Sequence, residues 1–158
     1  MRLFVSGCTH RCKGCFNAEA WDFSYGSPFG EAQVGEILEA MSPDYIKGFS
    51  LLGGEPFEAE NQPALADLLE RIRERYPDKT VWCYSGYSLT DDLLPGRVGT
   101  RENIDRMLAC IDVLVDGEFV EELKDFHLQF RGSSNQRIIR VPETLKSGNL
   151  VLWDPTNP

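Results

Sequence analysis

Apolar positions along this chain alternate between two rhythms. Val34, Ile37, Leu38 and Met41 recur at i, i+3, i+4 and i+7, which predicts an amphipathic helix over Glu31–Met41, stopped by Ser42-Pro43. A second helix is expected from about Pro63, with Leu65, Leu68, Leu69 and Ile72 as its stripe and Tyr76-Pro77-Asp78 as its end. A third follows Thr100, a capping residue, and carries Ile104, Met107, Leu108 and Ile111. Between these lie short apolar runs read as strands: Leu3-Phe4-Val5 (expected to be buried), Phe49 to Leu52, Thr80 to Tyr84 and Asp112 to Asp116. Residues 17–30 look irregular, punctuated by Gly26, Pro28 and Gly30. Toward the C-terminus, Arg131 to Arg137 reads as a polar loop, and Ile138 to Val141 and Asn149 to Trp153 as short edge strands.

Strand alternating with helix is the pattern of a parallel α/β sheet. A full eight-fold barrel takes roughly 250 residues. The 158 residues here therefore predict one domain, 1–158, built as a partial (β/α) barrel or an open curved parallel sheet. Parallel sheets bind ligands at the carboxyl ends of their strands. Four turns should gather there: residues 7–15, Gly53-Gly54-Glu55-Pro56, Ser85-Gly86-Tyr87 and Asp116-Gly117.

The first of these turns carries the chemistry. Of five cysteines, Cys8, Cys12 and Cys15 fall within eight residues, spaced C-x3-C-x2-C. Three thiolates on one loop can hold three corners of a cubic iron–sulfur cluster. The fourth cysteine of a ferredoxin-type run is missing, because Phe16, Asn17, Ala18 and Glu19 follow Cys15. One iron then keeps an open position, as catalytic metals do. Two other readings of the cysteines exist. Zinc could be held by Cys8, His10, Cys12 and Cys15, although structural zinc prefers two ligand pairs separated by a longer loop. A disulfide with a spare thiol would require an oxidising compartment.

The remaining candidates are less specific. Gly53-Gly54 lets backbone approach a ligand and offer N–H and C=O groups, with Glu55 adding a carboxylate. It is neither a Walker loop nor a G-x-G-x-x-G fingerprint. His10 could tune a cluster but is expected to face solvent. Cys83 and Cys110 lie in apolar segments and read as inert buried thiols. Asp112, Leu114 and Asp116 share a strand face; the acids could line the rim or bind a cation, or stand as solvated strand ends.

Composition narrows the function class. Sixteen basic against 25 acidic residues leave a net charge of −9, which repels phosphate backbones and argues against nucleic acid as a partner. No apolar run approaches the ~20 residues that span a bilayer. With no targeting segment visible, a cytoplasmic, reducing location is expected, with no membrane partner.

C-x3-C-x2-C after one strand and Gly53-Gly54-Glu55-Pro56 after the next resemble the radical S-adenosylmethionine superfamily. More narrowly, residues 3–8, Cys15-Phe16-Asn17, Trp21, Tyr84 to Tyr87, Asp112 to Gly117 and Arg131 to Gln136 resemble the branch that activates the anaerobic (class III) ribonucleoside-triphosphate reductase. The likeness runs from Leu3 to Arg137. It implies a 4Fe–4S cluster on Cys8, Cys12 and Cys15, with the amino and carboxylate groups of S-adenosylmethionine on the open iron. Gly14, Cys15, Phe16 and Gly54 match ligand-contacting positions, with Gly53 and Glu55 alongside. An electron from a donor such as flavodoxin or ferredoxin would release methionine and a 5′-deoxyadenosyl radical, which would take hydrogen from a glycine of the reductase large subunit. The branch also explains why Gly14, rather than an aromatic residue, precedes the third cysteine. Members carry a segment before the first strand with an Asn-Gly-Pro-Gly-like turn, so an N-terminally short version of the fold is expected. The Arg131 to Arg137 stretch, shared by the branch, is expected to dock the partner. The rival readings are an activase for another glycyl radical enzyme, such as pyruvate formate-lyase, and a non-catalytic metal-binding interaction module.

Overall fold

The computed structural model describes residues 1–157. In chain order its elements are β1 (Arg2–Val5), α1 (Glu31–Ala40), β2 (Gly48–Gly53), α2 (Gln62–Arg75), β3 (Thr80–Tyr84), α3 (Arg101–Cys110), β4 (Val113–Asp116), β5 (Arg137–Arg140) and α4 (Val141–Ser147). The strands form one open sheet in the order β1-β2-β3-β4-β5, the first four parallel and β5 antiparallel to β4. Because strand order follows chain order and such crossovers are right-handed, α1, α2 and α3 fall on one face of the sheet.

Register turns this topology into a core. Leu3, Leu51, Cys83, Leu114 and Ile139 stand opposite one another in a row across all five strands. The apolar stripes of α1, α2 and α3 close over that row, and all twelve helix residues anticipated from the periodicity are buried. Each large aliphatic side chain so covered contributes about 1.5–3 kcal/mol relative to exposure. Thr100 caps α3 as expected, its hydroxyl accepting from the Asn103 N–H at 3.2 Å. Among the described residues no helix is long and apolar enough to cross a membrane.

The opposite face of the sheet carries the alternate residues, Leu52, Trp82, Tyr84 and Val115 among them. It is covered in part by a triad of rings, Trp82, Phe130 and Trp153, with centroids 5.3–5.5 Å apart.

Three expectations change. β1 is an edge strand rather than a buried one, and Phe4 on its open face is 52% exposed. Val141 does not end a strand but begins α4, which has Pro142 in its first turn and Gly148 just past its end. The stretch Asn149 to Trp153 makes only a single bridge, Leu152 to Ile139, because the antiparallel strand before it is four residues long. Two short helical turns, Ala18–Trp21 and Leu89–Leu93, lie in segments where no periodicity is long enough to mark them.

Candidate functional site

Four parallel strands end on the same edge, so the four turns expected at a common rim do share one. Between them lies a cavity of about 630 Å³. All eight residues singled out in the sequence line it: Cys8, Cys12, Gly14, Cys15, Phe16, Gly53, Gly54 and Glu55. Its floor and walls are apolar, supplied by Leu52, Tyr84, Val115 and Phe130, and Phe16 stands at the mouth, 85% exposed.

The cysteine loop is spliced to the Gly-Gly turn through backbone. Gly54 N–H donates to the Val5 carbonyl at 2.7 Å, and Glu55 N–H to the Gly7 carbonyl at 2.8 Å. Gly7 and Cys8 in turn donate to the Ala20 and Trp21 carbonyls at 2.8 and 3.2 Å. This packing explains Gly54: a Cβ there would lie 2.5 Å from the Gly7 carbonyl oxygen and 2.9 Å from that of Ala20, both backbone atoms that cannot swing away. With the N–H groups of Gly54 and Glu55 already engaged, the turn is left with carbonyl oxygen to offer a ligand, an acceptor suited to an ammonium group.

Side chains reinforce the splice. Glu55 is completely buried, and its carboxylate accepts from Phe57 N–H (2.9 Å), Ser85 Oγ (2.8 Å), Gly86 N–H (2.7 Å) and His10 Nε2 (3.0 Å). It lines the cavity yet works as the knot between three of the turns. Glu58 accepts from both the N–H and the hydroxyl of Thr9, at 2.7 and 2.6 Å. Asn61 donates to the Ser6 and Glu55 carbonyls, both at 3.0 Å.

His10 departs from expectation. Its side chain is 9% exposed rather than solvent-facing, with Nδ1 2.9 Å from Glu118 Oε1 and its ring against Tyr87. Burial opposes a charge on the ring, but the hydrogen bonds and fields of Glu55 and Glu118 outweigh it and carry the imidazole up to about 9. Both ring nitrogens are thereby occupied, which removes His10 from any zinc site. Among the described residues no three His, Cys, Asp or Glu side chains converge tightly enough to hold a single metal ion. The three loop cysteines are instead free thiols disposed around a cavity. That arrangement suits a cubane, whose irons are separate corners that take one thiolate each. Burial pushes the Cys8 and Cys12 thiols up, so binding iron would displace their protons.

One further observation bears on the fit. Trp21 lines the cavity, and its indole Nε1 is the one buried side-chain polar atom among the described residues with no hydrogen-bond partner. A donor left open beside three thiols fits a site completed by a bound group.

The two strand acids prove structural. Asp116 does not line the cavity; it is buried and accepts a two-pronged Arg137 (2.9 and 2.6 Å) and the Leu89 N–H (2.7 Å), which leaves no room for a cation or ligand. Asp112 sits at the far end of the sheet, away from the rim and half-buried, bound to Arg73 Nη2 at 2.8 Å and Val81 N–H at 2.7 Å. In the loop before β5, Gln136 Oε1 accepts from Gly132 and Ser133, while Gln136 and Asn135 donate to the Gly117 and Glu118 carbonyls. Its amides therefore shape the turn after β4, and Arg131, Gly132 and Gln136 line the cavity. Glu58, Asn61 and Glu118 carried no signal in the sequence, because their hydrogen bonds join turns far apart in the chain and leave no local pattern.

An α/β fold with three free thiols on one loop around a rim cavity is the arrangement of a single-cluster iron–sulfur protein. Residues 1–139 match the family described as 4Fe-4S single cluster domain. The chain is 42% identical to the anaerobic ribonucleoside-triphosphate reductase-activating protein of Escherichia coli strain K12 over 136 residues, 85% of this chain and 83% of that one. It is 39% identical to the protein of the same name from Pasteurella multocida over 143 residues (89% and 87%), and 35% identical to that of Enterobacteria phage T4 over 136 residues (86% and 80%). The chain belongs to the family of anaerobic ribonucleoside-triphosphate reductase-activating proteins. No solved structure gives a significant match.

Proposed function

We propose that this protein is a radical S-adenosylmethionine activase that creates a glycyl radical on the class III anaerobic ribonucleoside-triphosphate reductase, using the sheet as a partial (β/α) barrel. The observation that carries the reading is the set of three free thiols, Cys8, Cys12 and Cys15, on one loop and lining one cavity. When bound, the cluster supplies one electron to the sulfonium of S-adenosylmethionine, whose cleavage provides the radical that takes a hydrogen from a glycine α-carbon.

The chain's own residues do the positioning. Cys8, Cys12 and Cys15 would hold the cluster. In the Gly53-Gly54-Glu55 turn, where Gly54 N–H is tied to Val5 and Glu55 N–H to Gly7, backbone carbonyl oxygen would be the group to accept from an ammonium. Gly14 and Phe16 flank the third cysteine at the mouth, where an extended glycine-bearing segment of the reductase would enter. Leu52, Tyr84, Val115 and Phe130 keep water from the reacting atoms. A small electron-transfer protein such as flavodoxin or ferredoxin would serve as the reductant.

Anaerobic reconstitution tests this reading. The protein should take up about four irons, release 5′-deoxyadenosine with dithionite and S-adenosylmethionine, and produce a glycyl doublet in electron paramagnetic resonance when mixed with the reductase. Iron uptake without 5′-deoxyadenosine would indicate a non-catalytic module. A doublet on pyruvate formate-lyase but not on the reductase would reassign the partner.

A further inference from the structure

We propose that Trp21 is a ligand-binding residue of this site, donating its indole N–H to an electron-rich acceptor of the group held on the cysteine loop. The inference rests on the reading above that a cluster and S-adenosylmethionine occupy the cavity. Trp21 ends the short helical turn that follows the cysteines, and its carbonyl accepts from Cys8 N–H at 3.2 Å, fixing the residue directly beside the first thiol. Its ring lines the cavity together with Cys8, Cys15 and Gly54.

The indole nitrogen is a donor only and cannot be satisfied by any rearrangement of its own hydrogen. Leaving such a donor buried and unpaired forfeits its hydration with nothing in return. The molecule avoids this elsewhere. Gln62, a fully buried residue, donates to the Phe57 and Val98 carbonyls and accepts from Thr100 N–H. Glu55 and Asp116 are saturated as described. The carboxylates around the rim are likewise committed: Glu55 to four donors, Glu58 to Thr9 and Glu118 to His10. The missing acceptor therefore arrives with the ligand. Two sources share the chemistry: a sulfur of the cluster and the carboxylate of S-adenosylmethionine.

Trp21→Phe removes the N–H and keeps most of the apolar ring. The experiment uses the anaerobically reconstituted protein and measures the cluster's midpoint potential without S-adenosylmethionine, then the Kd for S-adenosylmethionine. Hydrogen bonds to cluster sulfur tune its potential. Donation to sulfur thus predicts a more negative midpoint in the variant with the Kd changed by less than about twofold. Donation to the carboxylate predicts an unchanged midpoint and a Kd raised by about tenfold or more, the value of a charge-assisted hydrogen bond. A variant with full iron content in which neither quantity moves overturns the proposal. If the variant does not retain its iron, wild-type protein labelled with ¹⁵N at the indoles decides: a hyperfine coupling from that nitrogen to the reduced cluster supports the proposal, and no coupling with or without S-adenosylmethionine overturns it. Iron uptake and 5′-deoxyadenosine release by the wild type test the underlying reading separately, so the two failures are distinguishable.

Discussion

His10 Nε2 lies 3.0 Å from Glu55 Oε2, joining the middle of the cysteine loop to the Gly-Gly turn 45 residues away. The other ring nitrogen reaches Glu118 in the turn after β4, and Glu55 reaches Ser85 and Gly86 in the turn after β3. One imidazole and one carboxylate thus connect all four turns of the rim. The loop that bears the thiols is held by protein groups of its own.

Breaking this link should loosen the ligand loop. His10→Ala or Glu55→Gln leaves a buried partner uncompensated and is expected to cost about 3 kcal/mol of stability, read from urea midpoints. Each variant should also take up less iron per folded chain than wild type. The double variant should cost clearly less than the sum of the two, since both substitutions remove the same contact.

The five cysteines should separate into two sets. Cys8→Ala, Cys12→Ala and Cys15→Ala should each abolish the full cluster and 5′-deoxyadenosine release, measured by iron and sulfide content and by product analysis. Cys83→Ala should retain both, at a stability cost of about 1 kcal/mol. Burial holds the Cys83 thiol well above its ordinary range, so it should resist iodoacetamide in the native protein and react only on unfolding.

Two glycine substitutions should diverge. Gly54→Ala forces a methyl against the Gly7 carbonyl oxygen, and is expected to lose about 2 kcal/mol or more together with S-adenosylmethionine binding. Gly35→Ala, in α1 with nothing within 4 Å of the added Cβ, should stabilise by about 0.5–1 kcal/mol and leave binding unchanged. Thermal denaturation and equilibrium dialysis of the reconstituted proteins check both.

The Asp116–Arg137 pair should behave as scaffold rather than ligand. Arg137→Met strands a buried carboxylate and should cost about 3–5 kcal/mol, and adding Asp116→Asn should recover part of that loss. Asp116→Asn alone should leave the Kd for S-adenosylmethionine within about twofold of wild type, because the residue does not face the cavity. A large rise in Kd at unchanged stability would return Asp116 to the ligand site.

What could be read from the sequence was what has a short period. The stripes on α1, α2 and α3 repeat within one helix, and the cysteines cluster within one loop, so both were visible in short windows. The common rim followed from a rule about parallel strands, not from any contact. His10 was misjudged because a lone loop histidine carries no local sign of its partners, which lie 45 and 108 residues downstream. Asp116 was misjudged for the same reason: Arg137, its partner, arrives on the antiparallel strand. α4 did have a signal, Pro142 followed by Gly148, but seven residues are too few for a periodic stripe to announce it.

The order in which the rim is assembled has a consequence for biogenesis. Cys8, Cys12 and Cys15 are made more than a hundred residues before Glu118, which completes the hold on their loop through His10. Until that residue is in place a growing chain has its thiol loop only partly anchored, so the site is finished late although its ligands come early.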